Sequence, residues 1–250
     1  MDLQISTLAE RPHLLGQLWD LDPGWPEFMY HGPVSDAHYG QFTDAFRDFT
    51  IVATDGPRVV ARGHSIPFAL RVPGRGQLPP DGWDRLLIWA FSDLRSGRTP
   101  DTVSAVEIVI DPARRGQGLS AAVLEAMAEN ARGRGFTTLV VPLRPTAKQQ
   151  HPDTPMGEYA VRTGPDGLPV DPWLRTHVRM GGRVVGLAPT SMVVPGSLAQ
   201  WRAWTGLPFD RTGPVRVPGG LVPVNCSLEH DYGVYVEPNI WVEHDLRARQ

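Results

Sequence analysis

From Ile108 to Ser120 the chain reads Ile-Val-Ile-Asp-Pro-Ala-Arg-Arg-Gly-Gln-Gly-Leu-Ser, a β-branched run that breaks at Pro112 and enters a helical pattern after Gly118. Gly116 and Gly118 remove side chains where a ligand would approach the backbone. The first amides of the following helix have no intrahelical partners and carry partial positive charge. With Arg114 and Arg115 beside them they make an anion site suited to a pyrophosphate. An isolated Arg-Gly-x-Gly would read as an ordinary tight turn. The strand before it, the small Ser120 and the long amphipathic helix after it favour a binding turn.

Two common nucleotide sites do not fit. A P-loop needs Gly-Lys-Ser/Thr, and Lys148 is the only lysine in the chain; the Gly-x-Gly-x-x-Gly of a dinucleotide fold is also missing from this turn. The segment Arg115-Gly116-Gln117-Gly118-Leu119-Ser120 instead resembles the R/Q-x-x-G-x-G/A acetyl-CoA motif of the GNAT superfamily, departing from it only in Ser120. The preceding strand with its proline, Glu107 to Pro112, matches too, and the likeness continues to Val141 and resumes from His177 to Val185. The resemblance implies an α+β fold: a GNAT-like mixed central sheet flanked by helices, with a C-terminal extension. It implies that Arg115 to Ser120 hold the pyrophosphate of acetyl-CoA or another short acyl-CoA. The strand before the turn would splay from its neighbour, so that the backbone of Ile108, Val109 and Ile110 meets the pantetheine arm.

Acyl transfer from a thioester to an amine needs a neutral nucleophile, a proton acceptor and a proton donor for the leaving thiolate. The resemblance puts His177 where GNAT sequences commonly carry an acidic tyrosine, four residues before a glycine. A histidine capping the C-terminal end of its helix is the structural alternative. Glu107 stands where many GNAT enzymes keep a general base. It is flanked by Val106, Ile108 and Val109, an unusual setting for a charge. Thr146, after the strand that ends near Val141, should lie at the ligand-bearing end of parallel strands. A GNAT-like branch of polyketide-synthase loading modules uses a threonine and a histidine to decarboxylate an acyl-CoA and load a carrier thiol. Thr146 and His177 are compatible with it, Arg144 or Arg175 then holding an acyl carboxylate.

The elements that must position these residues are legible in part. Helical spacing marks Leu14 to Leu21, Ala37 to Phe46 and Trp83 to Leu94, the last closed by Gly97. Phe49 to Thr54 and Arg58 to Ile66 flank Asp55-Gly56-Pro57 as a hairpin. Val103 to Ile110, Gly118 to Arg134 and Thr137 to Val141 form a strand, helix and strand, which implies parallel neighbours. The helix should bury Leu119, Val123, Leu124, Met127 and Ala131. Further on, a helix from Asp171-Pro172 to Met180, a strand from Arg183 to Leu187, a helix from Pro195 to Trp204, and strands Leu221 to Val224 and Gly233 to Val236 are expected. No linker divides the chain, so one domain is expected, with a cofactor-binding core at about 103–187 and a C-terminal elaboration at about 188–250.

The chain has 250 residues, 41% hydrophobic and 20% charged, with net charge -3, so no basic field points to nucleic acid or a membrane surface. Cys226 is the only cysteine, expected as buried filler in a reducing compartment. The first residues carry no secretory pattern and no apolar run approaches the roughly 20 residues of a membrane span, so a cytoplasmic protein is expected. His230, Asp231, Glu237 and His244 match no ligand spacing, and no metal is expected. Asp81, Asp84, Asp93 and Asp101 could form a surface for cationic acceptors. The expected activity is acetyl transfer to a small-molecule or peptidyl amine, Glu107 as base and His177 as acid. The alternatives are a decarboxylating S-acyltransferase partnered by an acyl carrier protein, and acyl-CoA binding without turnover. Edge strands near the C-terminus could pair two copies into a homodimer.

Overall fold

A computed structural model of the protein describes residues 3–247. Its strands are β1 (Leu3–Thr7), β2 (Thr50–Asp55), β3 (Arg58–Phe68), β4 (Thr102–Ile110), β5 (Thr138–Leu143), β6 (Arg183–Gly196), β7 (Gly213–Val215), β8 (Val224–Ser227) and β9 (Tyr232–Asp245). Its helices are α1 (Leu15–Trp19), α2 (Pro33–His38), α3 (Phe42–Ala45), α4 (Gly82–Ser96), α5 (Leu119–Gly133), α6 (Met156–Ala160), α7 (Pro172–Arg179) and α8 (Leu198–Thr205). The strands form one mixed sheet in the order β1-β2-β3-β4-β5-β9-β8-β7, and β6 pairs with β9. This is the α+β architecture expected, with helices on both faces.

Alternating strand residues explain the two faces. Leu139 and Val141 of β5 join the face covered by α5, while Val140 between them joins the face covered by α4. Helix α5 buries Leu119, Val123, Leu124, Met127 and Ala131, the stripe expected from its spacing. Helix α4 buries Trp83, Leu86, Leu87, Ala90 and Phe91, and Gly97 ends it in the left-handed conformation at φ 64°.

Strands β4 and β5 are parallel, but they pair only at Val103 with Leu139 and Ser104 with Val140. Beyond Ser104 they part. On the other side β4 stays paired with β3 as far as Ile110, interrupted where His64 faces Glu107 and Ser65 faces Ala105. Val106 is the extra residue of that bulge, and bulges sharpen local twist. Its carbonyl accepts a hydrogen bond from Trp83 Nε1 at 3.0 Å.

Several elements differ from the sequence expectation. Leu3–Thr7 is an edge strand that its mixed pattern concealed. The segment 37–46 is broken into α2, a 3-10 turn over Tyr39–Gln41, and α3. Pro195 belongs to β6; the helix starts later, where Ser197 and Gln200 form a reciprocal capping box. Strand β8 starts at Val224, the last residue of the expected Leu221 to Val224. Strand β9 runs for 14 residues, because its two ends pair with different partners, β8 near Tyr232 and β5 near Asp245.

Gly63 sets how closely α5 approaches β3: a Cβ there would meet Val123 Cγ1 at 2.7 Å and Met127 Sδ at 2.8 Å. Gly63→Ala is therefore expected to destabilise the fold by about 1–3 kcal/mol, as overpacking does. Because α5 opens at the glycine turn expected to hold an acyl-CoA, KM for acetyl-CoA should rise with it. Urea denaturation and steady-state kinetics check both.

Candidate active site

The start of α5 has the geometry the turn requires. Gly116 and Gly118 hold φ of 76° and 79°, and no heavy atom lies within 4 Å of a Cβ built on either. No side chain caps the helix. Ala121 and Ala122 turn their amides back to Gly118 O, which leaves the amides ahead of them for an anion. The carboxylate of Asp55 tethers Arg114 at 2.6 Å. Arg115 instead lies across Gly24, its Nη2 3.5 Å from where a Cβ would be.

This turn opens into a cleft of about 1190 Å³ that runs between the diverging strands. Ile108, Val109, Ile110, Arg115, Gly116, Gly118, Leu119 and Ser120 line it together with Glu107, Thr146 and His177. Residues far apart in sequence thus share one cavity. Gln117 is the member of the motif that does not line it; its amide reaches toward Ala113 O. The residues present fit a coenzyme A thioester. The anion turn lies at one end of the cleft, and a strand edge without a partner strand runs along its wall.

Glu107 is an ionised, immobilised carboxylate. Its Oε1 accepts from Tyr39 Oη at 2.5 Å and from Trp25 Nε1 at 3.3 Å; its Oε2 accepts from Arg62 Nε at 3.2 Å. Desolvation alone would raise its pKa. The Arg62 guanidinium, His64 and the Tyr39 hydroxyl outweigh that and hold it below the usual range. Tyr39 also accepts from Arg62 Nη2 at 3.1 Å, so its oxygen bridges the ion pair. Arg62 is fixed further by Leu18 O and Leu21 O.

His177 is fully buried on α7 and borders the cleft. Its Nδ1 lies 2.9 Å from Nε2 of His244 on β9, while its Nε2 has no hydrogen-bond partner. Burial lowers its pKa to about 3, with His244 adding to the effect, so the ring is neutral. Gly182 makes the contact possible: a Cβ there would meet His244 Nε2 at 2.9 Å and His177 O at 2.8 Å. Thr146 is exposed in the loop after β5. Asp171 ties that loop to α7, accepting from Ala147 N at 2.8 Å and from Trp173 N and Leu174 N at 3.0 Å.

Other candidates fall elsewhere. Arg144 borders the cleft but is engaged by the buried Glu237, Nε lying 3.0 Å from each carboxylate oxygen. Arg175 pairs with Asp166. The four acids proposed as an acceptor surface do not line the cleft. Asp93 is buried against Arg75 and Arg98, Asp101 accepts from the Leu70 and Arg71 amides, Asp81 binds Arg85, and Asp84 accepts from Val193 N. Among the described residues no three His, Cys, Asp or Glu side chains converge as a metal site. Cys226 is free and buried. Sequence reading did not single out Arg62 or Tyr39, and met His244 only as a metal ligand that fitted no spacing. Arg62 lies in the apolar run Val59-Val60-Ala61, a charge as unexpected as Glu107 and a signal that could have paired the two.

A sheet that opens beside a helix amide cradle fits the acyl-CoA-binding architecture of the GNAT type. The chain is 33% identical over 274 aligned residues to the arginine N-acetyltransferase avaD of Aspergillus versicolor, covering 97% of this chain and 93% of that protein. Its fold is similar to the loading GNATL domain of CurA from Lyngbya majuscula (TM-score 0.62, 16% identity, 99% and 98% of the two chains). It is also similar to the GphF GNAT-like decarboxylase solved with isobutyryl-CoA (TM-score 0.54, 17% identity, 99% and 100%). No family model matches the chain. The chain belongs to the GNAT superfamily of N-acetyltransferases.

Two outcomes follow from the site. Gly118→Glu puts a β-carbon and a negative charge into the anion cradle and strains a positive-φ residue, so calorimetry should find coenzyme A binding abolished while circular dichroism stays native. The second concerns pH. His64, lowered by burial to about 4, and His177 at about 3 stay neutral when folded, but protonate near 6.5 when unfolded. The unfolded chain therefore binds more protons below that pH. Thermal stability should fall as pH drops from 6.5 toward 4, and His177→Phe should make the fall shallower.

Proposed function

We propose that this enzyme transfers the acetyl group of acetyl-CoA by direct attack to a nitrogen of arginine or of a small molecule bearing an arginine side chain. The observation that carries the reading is the convergence of the amide cradle, the open β4 edge, Glu107 and His177 on one cleft. The acceptor class follows from identity over 97% of the chain to an arginine N-acetyltransferase. Trp25, Tyr30, Tyr39 and Trp83 give the cleft aromatic walls, which suit a flat cationic group.

Glu107 works through Tyr39 in this scheme. Bond formation to the acetyl carbon makes the acceptor nitrogen far more acidic, so a carboxylate of low pKa suffices as acceptor. The N–H proton passes to the Tyr39 oxygen while the Tyr39 proton passes to Glu107 Oε1. His177 Nε2–H donates a hydrogen bond to the departing sulfur, which takes its proton from water; the hydroxide left takes the proton of Glu107 back through Tyr39, which restores the carboxylate. A second reading is decarboxylation of an acyl-CoA with transfer to a carrier protein. The opening of Thr146 and His177 onto one cleft favours it. We assign the protein to the cytoplasm, where the free thiol of Cys226 needs no partner.

Incubation with labelled acetyl-CoA and L-arginine or its simple ester and amide derivatives should give a labelled product, with no CO2 from malonyl-CoA. Label in none of these acceptors would sink the arginine reading, and CO2 release would favour the second. His177→Phe and Tyr39→Phe should each lower kcat by about a hundredfold while leaving coenzyme A affinity within twofold. Neither Glu107 nor His177 changes charge between pH 5 and 8. Any inflection of kcat/KM there should therefore move with the acceptor; one fixed near neutrality for every acceptor contradicts the scheme.

A further inference from the structure

His177 borders the cleft, and its Nε2 is buried, without a hydrogen-bond partner and chemically undetermined until its tautomer is known. That tautomer is not free. His177 Nδ1 and His244 Nε2 are 2.9 Å apart, and both rings are neutral because burial lowers both pKa values. One proton must therefore lie between them. If it belongs to His244, His177 Nδ1 is the acceptor and His177 carries its own proton on Nε2. If it belongs to His177, Nε2 is a bare lone pair. The state of His244 thus decides whether the free nitrogen of His177 is a donor or an acceptor.

We infer that His244 is a positioning residue: its Nε2–H donates to His177 Nδ1 and so holds His177 in the tautomer that presents Nε2–H to the reacting thioester. The inference rests on the proposed role of His177 as donor and adds the residue that enforces it. Two arguments support the direction, and a third shows that the pair is held in place. The charge that develops in thioester attack is negative on oxygen and then on sulfur, and a bare imidazole lone pair beside it would repel it. The proton acceptor's place is already filled, since Glu107 is ionised and reached through Tyr39. The pair is also built to be rigid: Gly182 leaves room for the His244 ring, Trp173 packs edge-on to His177 with ring centres 4.4 Å apart, and β9 is held by β5 on one side and β6 on the other. A neutral donor held this way needs no protonation event, so it works at any pH at which the fold survives.

The test is direct. In the full-length, unmutated protein labelled with 15N-histidine, long-range proton–nitrogen NMR reads which ring nitrogen of each histidine carries hydrogen. We expect His177 protonated on Nε2 and bare on Nδ1, and His244 protonated on Nε2; a proton on His177 Nδ1 overturns the inference. Kinetics give a second arm. His244→Leu removes the donor and should lower kcat about a hundredfold or more, as loss of the correct histidine tautomer does elsewhere, with KM for acetyl-CoA unchanged. His244→Gln can place an amide N–H where Nε2 was and should recover at least tenfold over the leucine variant. Turnover of His244→Leu within twofold of wild type overturns the inference, as does a glutamine variant no better than leucine. His177→Phe separates this from the wider reading. If that variant is also fully active, the donor role of His177 itself is wrong; if it is inactive while His244→Leu is active, only the role of His244 fails.

Discussion

A strand interior to a sheet must find partners for its backbone on both sides, and an unpaired buried amide or carbonyl costs about as much as a lost hydrogen bond. In this protein β4 meets that requirement toward β5 at only two residue pairs before the strands separate. The cleft between them is therefore an exposed polar backbone edge within an otherwise continuous sheet. A pantetheine arm, with amides at intervals along a chain, is the kind of ligand that satisfies such an edge. The bulge at Val106 helps to open it, and Trp83 secures the bulge by taking the Val106 carbonyl.

Two buried arginine–carboxylate pairs stand in or against this opening. Arg62 with Glu107 and Arg144 with Glu237 each exclude water from the carboxylate, and each is wrapped by neutral donors, Tyr39 and Trp25 in the first case, Tyr235 and Asn239 in the second. Such pairs contribute little net stability, because desolvation offsets their attraction, but losing one partner leaves an uncompensated charge. Their value here is orientation. A carboxylate fixed by three donors accepts one short hydrogen bond from Tyr39, and Tyr39 and Trp25 line the cleft beside it.

Strand β9 shapes the other wall. Its last residues pair with β5 and with the start of β6, which carries His244 into the space vacated by Gly182. The part of the chain expected to be an elaboration thus supplies a side chain in contact with His177. Asp171 adds a second constraint by bonding both the loop of Thr146 and the first turn of α7. Helix α7 is only two turns long, so its position depends on these attachments more than on its own helical stability.

The amino-acid sequence by itself determined the parts whose physics is local. Glycine at 116 and 118 permits positive φ, a run of Val and Ile prefers an extended strand, and the three-to-four spacing in α5 commits one face to burial; these requirements are met within a dozen residues. Glu107 was legible as a charge within a β-branched run, whereas Thr146 and His177 were reached only through the GNAT resemblance. What only the tertiary structure decided were pairings across long separations: that Arg62 neutralises Glu107, that Tyr39 bridges them, that His244 lies against His177, and that β4 and β5 diverge after Ser104. Partners 23, 45 and 67 residues apart leave no periodicity in the chain. Their contact is a property of sheet order and strand twist, which arise when the whole core packs.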